Sequence, residues 1–209
     1  GGVGPDGRRP AWRDAVVSAG VAAFAAAAKL CGLAAPGRRN ALAPRLVERS
    51  FAFPELPRAF EGYRILQVSD THLDCLPELA MVARAMLEEV EIDLVVLTGD
   101  IHGRHRAPLR ESVAPLAAML EGLDPRDGHV AVLGNHDPAA MAEALEDLGF
   151  AVLINRSMTL ARGGERIVVT GLDDVHRFFT PAAHAALGSA PPGFRIALVH
   201  SAEMADHAE

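Results

Sequence analysis

Lysine is almost missing from this 209-residue chain: Lys29 is the one copy, and residues 61 to 209 contain none. Binding a nucleic-acid backbone calls for a concentrated basic face, and the arginines of that long segment are scattered, so nucleic acid is not its expected partner. Cysteine is nearly as scarce. Cys31 and Cys75 lie in segments of unlike character, which argues against a disulfide framework or a thiolate zinc site. An apolar run of full membrane-spanning length is lacking too. The uncharged stretch Ala15 to Ala28 would reach only about 21 Å as a helix, against about 30 Å for a hydrocarbon core. With Lys29 snorkelling, the run extends to Ala35 and just suffices.

The charge that is present is unevenly placed. Residues 1 to 60 hold nine Lys or Arg against four Asp or Glu, whereas residues 61 to 209 hold eleven against twenty-three. A basic, apolar leader ahead of an acidic domain points to a membrane surface as partner, with anchoring through the apolar segment. Arginines flank both sides of that segment, so charge alone gives no orientation. Arg8-Arg9 suggests an export signal that Pro10-Ala11-Trp12 continues poorly, which favours the cytoplasmic face over export. The expected division is a leader over 1 to 36, a connector over 37 to 60 with one edge strand around Val47 to Phe53, and a globular domain over 61 to 209.

Half of the residues are apolar, enough for one sizeable core. Tyr63 to Ser69, Asp93 to Thr98, Val130 to Leu133 and Arg195 to Val199 read as buried strands. Between them, Leu79, Val82, Ala83, Met86 and Val90 recur at the helical period after Pro77. Val113, Leu116, Ala117 and Leu120 mark a second helix, and Met141, Leu145 and Leu148 a third that begins around Pro138. This alternation predicts an α/β fold with a mainly parallel sheet. Beyond Ala151 the texture changes to short apolar runs, two of them joined by Arg162-Gly163-Gly164-Glu165, a hairpin signal. Two stacked sheets with helices outside are expected.

Each of the four buried strands ends in polar residues: Asp70-Thr71-His72, Gly99-Asp100, Gly134-Asn135-His136-Asp137 and His200. The C-terminal strand ends are where an open α/β sheet collects its ligand site. Asp70 and His72, one residue apart, project to one side if the chain leaving the strand stays extended. Asp100 can bridge two cations with its two oxygens, Asn135 offers a carbonyl oxygen and His200 an imidazole nitrogen. Oxygen and nitrogen donors without thiolate favour manganese, iron or zinc. Two such divalent or trivalent ions, roughly 3.5 to 4 Å apart, would activate a bridging water against a phosphate ester. His136 suits a general acid, its imidazole held by Asp137; Asp137 reads equally as the cap of the following helix. His102, Arg104, His105 and Arg106 on the same rim offer cations for a substrate phosphate, or are simply a solvated loop. His176 reads as a surface histidine more readily than as a mouth residue, and Asp74 and Cys75 read as loop.

In this order and spacing the four motifs resemble those of the calcineurin-like metallophosphoesterases, from about residue 63 to the end. The resemblance implies a four-layer αββα sandwich of two mixed sheets flanked by helices, preceded by an N-terminal apolar helix. It assigns Asp70, His72 and Asp100 to one metal, Asp100, Asn135 and His200 to another, and His136 to catalysis. Leu97-Thr98-Gly99-Asp100, Ala131 to Asp137 and the basic apolar leader are similar to the membrane-associated bacterial branch, some members of which are linked to UDP-2,3-diacylglucosamine cleavage in lipid A synthesis. The implied substrate is a small or lipid-linked phosphate ester or pyrophosphate. The family closes its site with Gly-His-x-His, which is not found up to Glu209, and His207 does not reproduce it. The expectation is a truncated chain, with a degenerate, non-catalytic metal-binding module as the other reading.

Overall fold

Leu94, Val95, Val96 and Leu97 are apolar on both faces of a strand and all four are buried, so this strand must lie between two covering layers. The computed structural model, which describes residues 11–104, 107–174, 181–189 and 191–201, shows both layers. The strand is β2 (Leu94–Leu97), flanked in one parallel sheet by β1 (Ile65–Val68), β3 (His129–Ala131) and β4 (Phe150–Val152), in the order β1-β2-β3-β4 among the described residues. The crossovers carry α3 (Glu78–Leu87), α4 (Arg110–Leu120) and α5 (Ala140–Asp147). Strand order equals chain order, so every crossover runs the same way and the helices gather on one face.

On the helix side, Leu97, Ala131 and Val152 pack with Leu73, Leu116, Met119, Met141 and Leu145. On the other, Leu94, Val96, Val130 and Val132 meet Leu160, Ile167, Val169 and Leu198 of a second sheet. There β5 (Arg156–Arg162) and β6 (Glu165–Gly171) are antiparallel and β7 (Phe194–Leu198) runs parallel to β6. Helix α6 (Pro181–Ser189) packs Ala183 and Ala186 against Leu172. Two facing sheets flanked by helices satisfy the αββα expectation, but among the described residues only the second sheet is mixed, the first being all parallel. The hairpin falls where its glycines demand. Arg162 pairs with Glu165, and Gly163 and Gly164 take φ of 59° and 81°, as a two-residue turn of positive φ requires.

Two readings need correction. The edge strand expected around Val47 to Phe53 is coil, with no ladder partner among the described residues. It contributes through Phe53 instead, whose ring lies 5.3 Å from that of Phe194. The third helix starts at Ala140, not at Pro138.

Contacts divide the chain into two units, 1–45 and 46–209. The first holds α1 (Ala11–Leu30) and α2 (Ala34–Ala41), the latter incorporating Pro36-Gly37. Val16, Val21, Phe24, Leu30 and Leu33 are exposed. Among the described residues no single helix is long and apolar enough to cross a membrane; Ala19–Leu30 and Ala34–Ala41 together are, but they meet at a bend of 104°.

At the N-terminal ends of the first sheet's strands a charged lock joins them to Arg162, the last residue of β5. Arg162 Nη2 donates to Asp93 Oδ1 at 3.0 Å and Asp127 Oδ2 at 2.9 Å, and Tyr63 Oη donates to Asp127 Oδ2 at 2.7 Å. The Arg162 guanidinium lies over the rings of Phe60 and Tyr63. Burial, then the Asp127 carboxylate, pushes the Tyr63 pKa well above its ordinary value. An unfolded tyrosine ionises near pH 10 while the folded one stays protonated, so this contribution to stability is complete below about pH 10 and is lost as pH rises further. Tyr63 is the sole tyrosine, so phenolate absorbance reads it directly. The expected result is that phenolate appears only with unfolding and that Tyr63→Phe flattens the alkaline decline. Ionisation at ordinary tyrosine pH in the folded protein would contradict this.

Candidate metal centre

The chain turns abruptly where β1 and β2 end. Asp70, His72 and Asp100 have φ of 53°, 41° and 54°, the left-handed region that costs a non-glycine residue about 1–3 kcal/mol. Backbone bonds hold them there: Asp70 N–H to Gly99 O, His72 N–H to Asp100 O and Leu73 N–H to Ile101 O, at 3.0 to 3.1 Å. Asp70 and His72 therefore converge through a left-handed turn and not, as their spacing suggested, through an extended chain. Two glycines allow the close approach of the next two strand ends. A Cβ on Gly99 would stand 2.4 Å from Gly134 N, and one on Gly134 would stand 2.2 Å from Asp100 Oδ1.

The ligand atoms of Asp70, His72 and Asp100 lie within 4.8 Å of one another, His72 Nε2 being 3.8 Å from Asp100 Oδ2. The other oxygen of Asp100 faces a second group: His200 Nε2 is 3.6 Å from Asp100 Oδ1 and 3.2 Å from Asn135 Oδ1. Asp100 itself is only 3% exposed. His200 Nδ1 lies 2.8 Å from Thr98 O. A carbonyl can only accept, so Nδ1 donates to it and Nε2 is turned toward the two oxygens. An imidazole nitrogen and two oxygens thus converge on one point, a donor set that a cation could share. The donor set therefore fits metal binding, around the Asp70–His72–Asp100 group and around the Asn135–His200 side of Asp100.

His136 approaches from the β3 end. Its N–H donates to Asp100 Oδ1 at 2.9 Å, its Nδ1 lies 3.3 Å from Gly103 O, and its ring stands edge-on to His72 at 5.4 Å. Asp137 does not hold this imidazole, nor does it cap α5. Its Oδ2 accepts the N–H groups of Asp100 and Gly134, and its Oδ1 those of Ile101 and His102, at 2.8 to 3.0 Å. Four amides fill both oxygens. Burial raises the Asp137 pKa, as does the Asp100 charge, against the opposing pull of the amides.

Two of the rim residues, His102 and Arg104, have partners inside the fold. His102 is 1% exposed, with Nδ1 2.7 Å from Ser112 Oγ, so it turns inward instead of toward a substrate. Arg104 donates through Nε to Asp74 Oδ2 at 3.1 Å and through Nη2 to Asp74 O and Glu111 Oε2, both at 2.6 Å. Burial turns His102 away from a phosphate, and Arg104, though its side chain stays 54% exposed, spends Nε and Nη2 on Asp74 and Glu111. His105, Arg106, His176 and His207 lie outside the described residues. Asp74, read as mere loop, is the residue the sequence concealed. It is buried, its Oδ1 and Oδ2 accept the N–H groups of Gly103 at 2.7 Å and Arg104 at 2.9 Å, and these bonds lower its pKa against the upward push of burial.

Oxygen and nitrogen donors gathered at the C-terminal ends of a parallel sheet, itself stacked on a second sheet, define a metal-binding α/β protein with a site suited to hydrolysis. The model of the calcineurin-like phosphoesterases matches residues 63–193, and the chain belongs to that family of metal-dependent hydrolases of phosphoester bonds. It is 33% identical over 135 residues to "Uncharacterized metallophosphoesterase YkuE" of Bacillus subtilis, covering 57% of this chain and 44% of that protein. To a Danio rerio "Transmembrane protein with metallophosphoesterase domain" it is 28% identical over 142 residues, covering 63% and 32%. To "Uncharacterized metallophosphoesterase YkoQ" of Bacillus subtilis it is 28% identical over 120 residues, covering 53% and 43%. The chain thus spans less than half the length of these curated relatives.

Proposed function

We propose that this domain hydrolyses a phosphate ester or pyrophosphate with two metal ions, manganese, iron or zinc, held on the two sides of Asp100. The observation that carries this reading is the disposition of the Asp100 carboxylate, one oxygen toward His72 and the other toward Asn135 and His200. Asp70, His72 and Asp100 would hold one ion, and Asp100, Asn135 and His200 the other. When bound, the ions supply Lewis acidity and lower the pKa of a water to near neutrality. The protein's own residues do the rest. The backbone bonds at Asp70 and His72 fix the donors before substrate arrives, so no reorganisation is needed during reaction. Gly103 O fixes the His136 ring through Nδ1, so Nε2 faces the site, and when the ring carries a second proton there Nε2 is the nitrogen that delivers it to the leaving oxygen.

The substrate reading extends to a lipid-linked phosphate such as UDP-2,3-diacylglucosamine, with the first unit attached to a membrane. Support comes from the exposed apolar side chains of α1, from Lys29, Arg38 and Arg39 at the helix ends, and from the relative named as a transmembrane protein. Basic groups beside an apolar surface suit an anionic bilayer.

Separate assays test the two levels. Manganese-dependent hydrolysis of an aryl phosphate by the full chain is expected, with His136→Ala lowering kcat by about 10²- to 10⁴-fold. Equal turnover in that variant removes the acid role. For the lipid reading, the full chain should float with anionic vesicles and cleave a vesicle-borne nucleotide-linked lipid in preference to soluble nucleotides; the reverse preference overturns it.

A further inference from the structure

Five consecutive amides, from Asp100 to Arg104, are accepted by just two carboxylates: the first three by Asp137, the last two by Asp74. The geometry of the peptide unit gives the second pair a particular consequence. In a trans peptide the N–H and the C=O lie in one plane and point in opposite directions. The plane whose N–H is Gly103's carries the carbonyl of His102, and that oxygen lies 3.3 Å from His72 Nδ1. The plane whose N–H is Arg104's carries the carbonyl of Gly103, and that oxygen lies 3.3 Å from His136 Nδ1. One buried carboxylate thus sets the orientation of two peptide planes, and each plane presents its far end to a histidine of the site. Glycine at 103 is what lets the strip lie so close: a Cβ there would stand 2.9 Å from Cys75 Sγ and 3.1 Å from His72 Nδ1.

We infer that Asp74 is a positioning residue for both His72 and His136, acting through these two peptides to keep the proton of each ring on Nδ1 and so direct each Nε2 into the site. The carboxylate also polarises both peptides, which makes their carbonyls better acceptors for the imidazole N–H. Arg104 shields Asp74 but is not required for the relay, since the two planes are held by backbone amides. For His136 the inference rests on the phosphoesterase reading; for the tautomers of the two rings it stands without it.

The test uses the full chain, metal-free and manganese-loaded, as wild type, Asp74→Asn and Glu111→Gln. Histidine nitrogen NMR of the metal-free protein reads ring tautomers, calorimetry reads manganese affinity, and aryl phosphate hydrolysis reads kcat and KM. In the wild type both rings should carry Nδ1–H. Asp74→Asn should shift both toward Nε2–H, weaken manganese binding and lower kcat by about tenfold to a hundredfold each, and leave KM within about twofold. Glu111→Gln, which releases only the outer contact of Arg104, should match the wild type. Wild-type tautomers and manganese affinity in Asp74→Asn overturn the inference. A wild type without turnover overturns the phosphoesterase reading alone, and the tautomers and metal affinity then decide. If Asp74→Asn does not fold, the wild type decides: slow hydrogen exchange at the Gly103 and Arg104 amides with Nδ1–H on both rings is required, and exchange at unprotected rates overturns the proposal.

Discussion

Asp100→Asn is expected to lower phosphoesterase turnover by about a thousandfold or more while the protein stays folded, because several kcal/mol of metal-borne charge stabilisation pass through this one carboxylate. The new amide has a preferred way round. Asp100 Oδ1 accepts the His136 N–H at 2.9 Å, so the asparagine keeps its oxygen there and turns its NH₂ toward His72 and Asp70. A donor then stands where a lone pair was needed, and the Asp70–His72 side should lose its cation first. Calorimetric titration with manganese should show a binding event lost or weakened by at least about tenfold, with the remaining one tied to His200. Wild-type turnover in this variant would remove Asp100 from the centre of the reaction.

Asp137→Asn is expected to act on stability more than any surface change would. Each of its oxygens accepts two backbone N–H groups, so whichever oxygen becomes NH₂ sets a donor against two donors. Hydrogen bonds to a charged group contribute about 1.5–3 kcal/mol each, and a buried amide left unsatisfied costs a similar amount. A loss of about 3 kcal/mol or more follows, which for a domain of this size lowers Tm by about 6–12 °C. Turnover should fall as well, because the amides that Asp137 ties down belong to Asp100 and the residues after it. A melting temperature within about 2 °C of wild type would show that these bonds contribute little.

The donors were legible in the sequence because Asp70, Asp100, Asn135 and His200 each end an apolar run, and a polar group at the tip of a buried strand stands out. The same contrast made β1, β2, β3 and β7 legible, and Gly163-Gly164 announced the hairpin. What could not be read has a common cause, for it depends on where a side chain turns back. Asp137 follows His136 directly, yet its carboxylate reaches amides some 36 residues earlier in the chain. Arg104 looked available to substrate because nothing in its own segment shows that Asp74, thirty residues earlier, has already engaged it. The carbonyls of Thr98, His102 and Gly103, which set the histidine protons, leave no trace in a sequence, since every residue has one. The left-handed turn at Asp70 and His72 was equally hidden: neither residue is the glycine that usually marks such a conformation.

His200 stands at the tip of β7 in the second sheet, yet its ring is hydrogen-bonded to Thr98 at the tip of β2 in the first. One donor, His200, is consequently carried by a different layer from Asp70, His72, Asp100 and Asn135, and its distance from them is a gauge of how those layers sit on one another. A lateral slip of the sheets, from repacking around Val96, Val130 or Ile167, would leave Asp70 and His72 in register with Asp100 and carry His200 away. Damage deep in the inter-sheet core would thus be felt on the His200 side of Asp100 and spare the Asp70–His72 side.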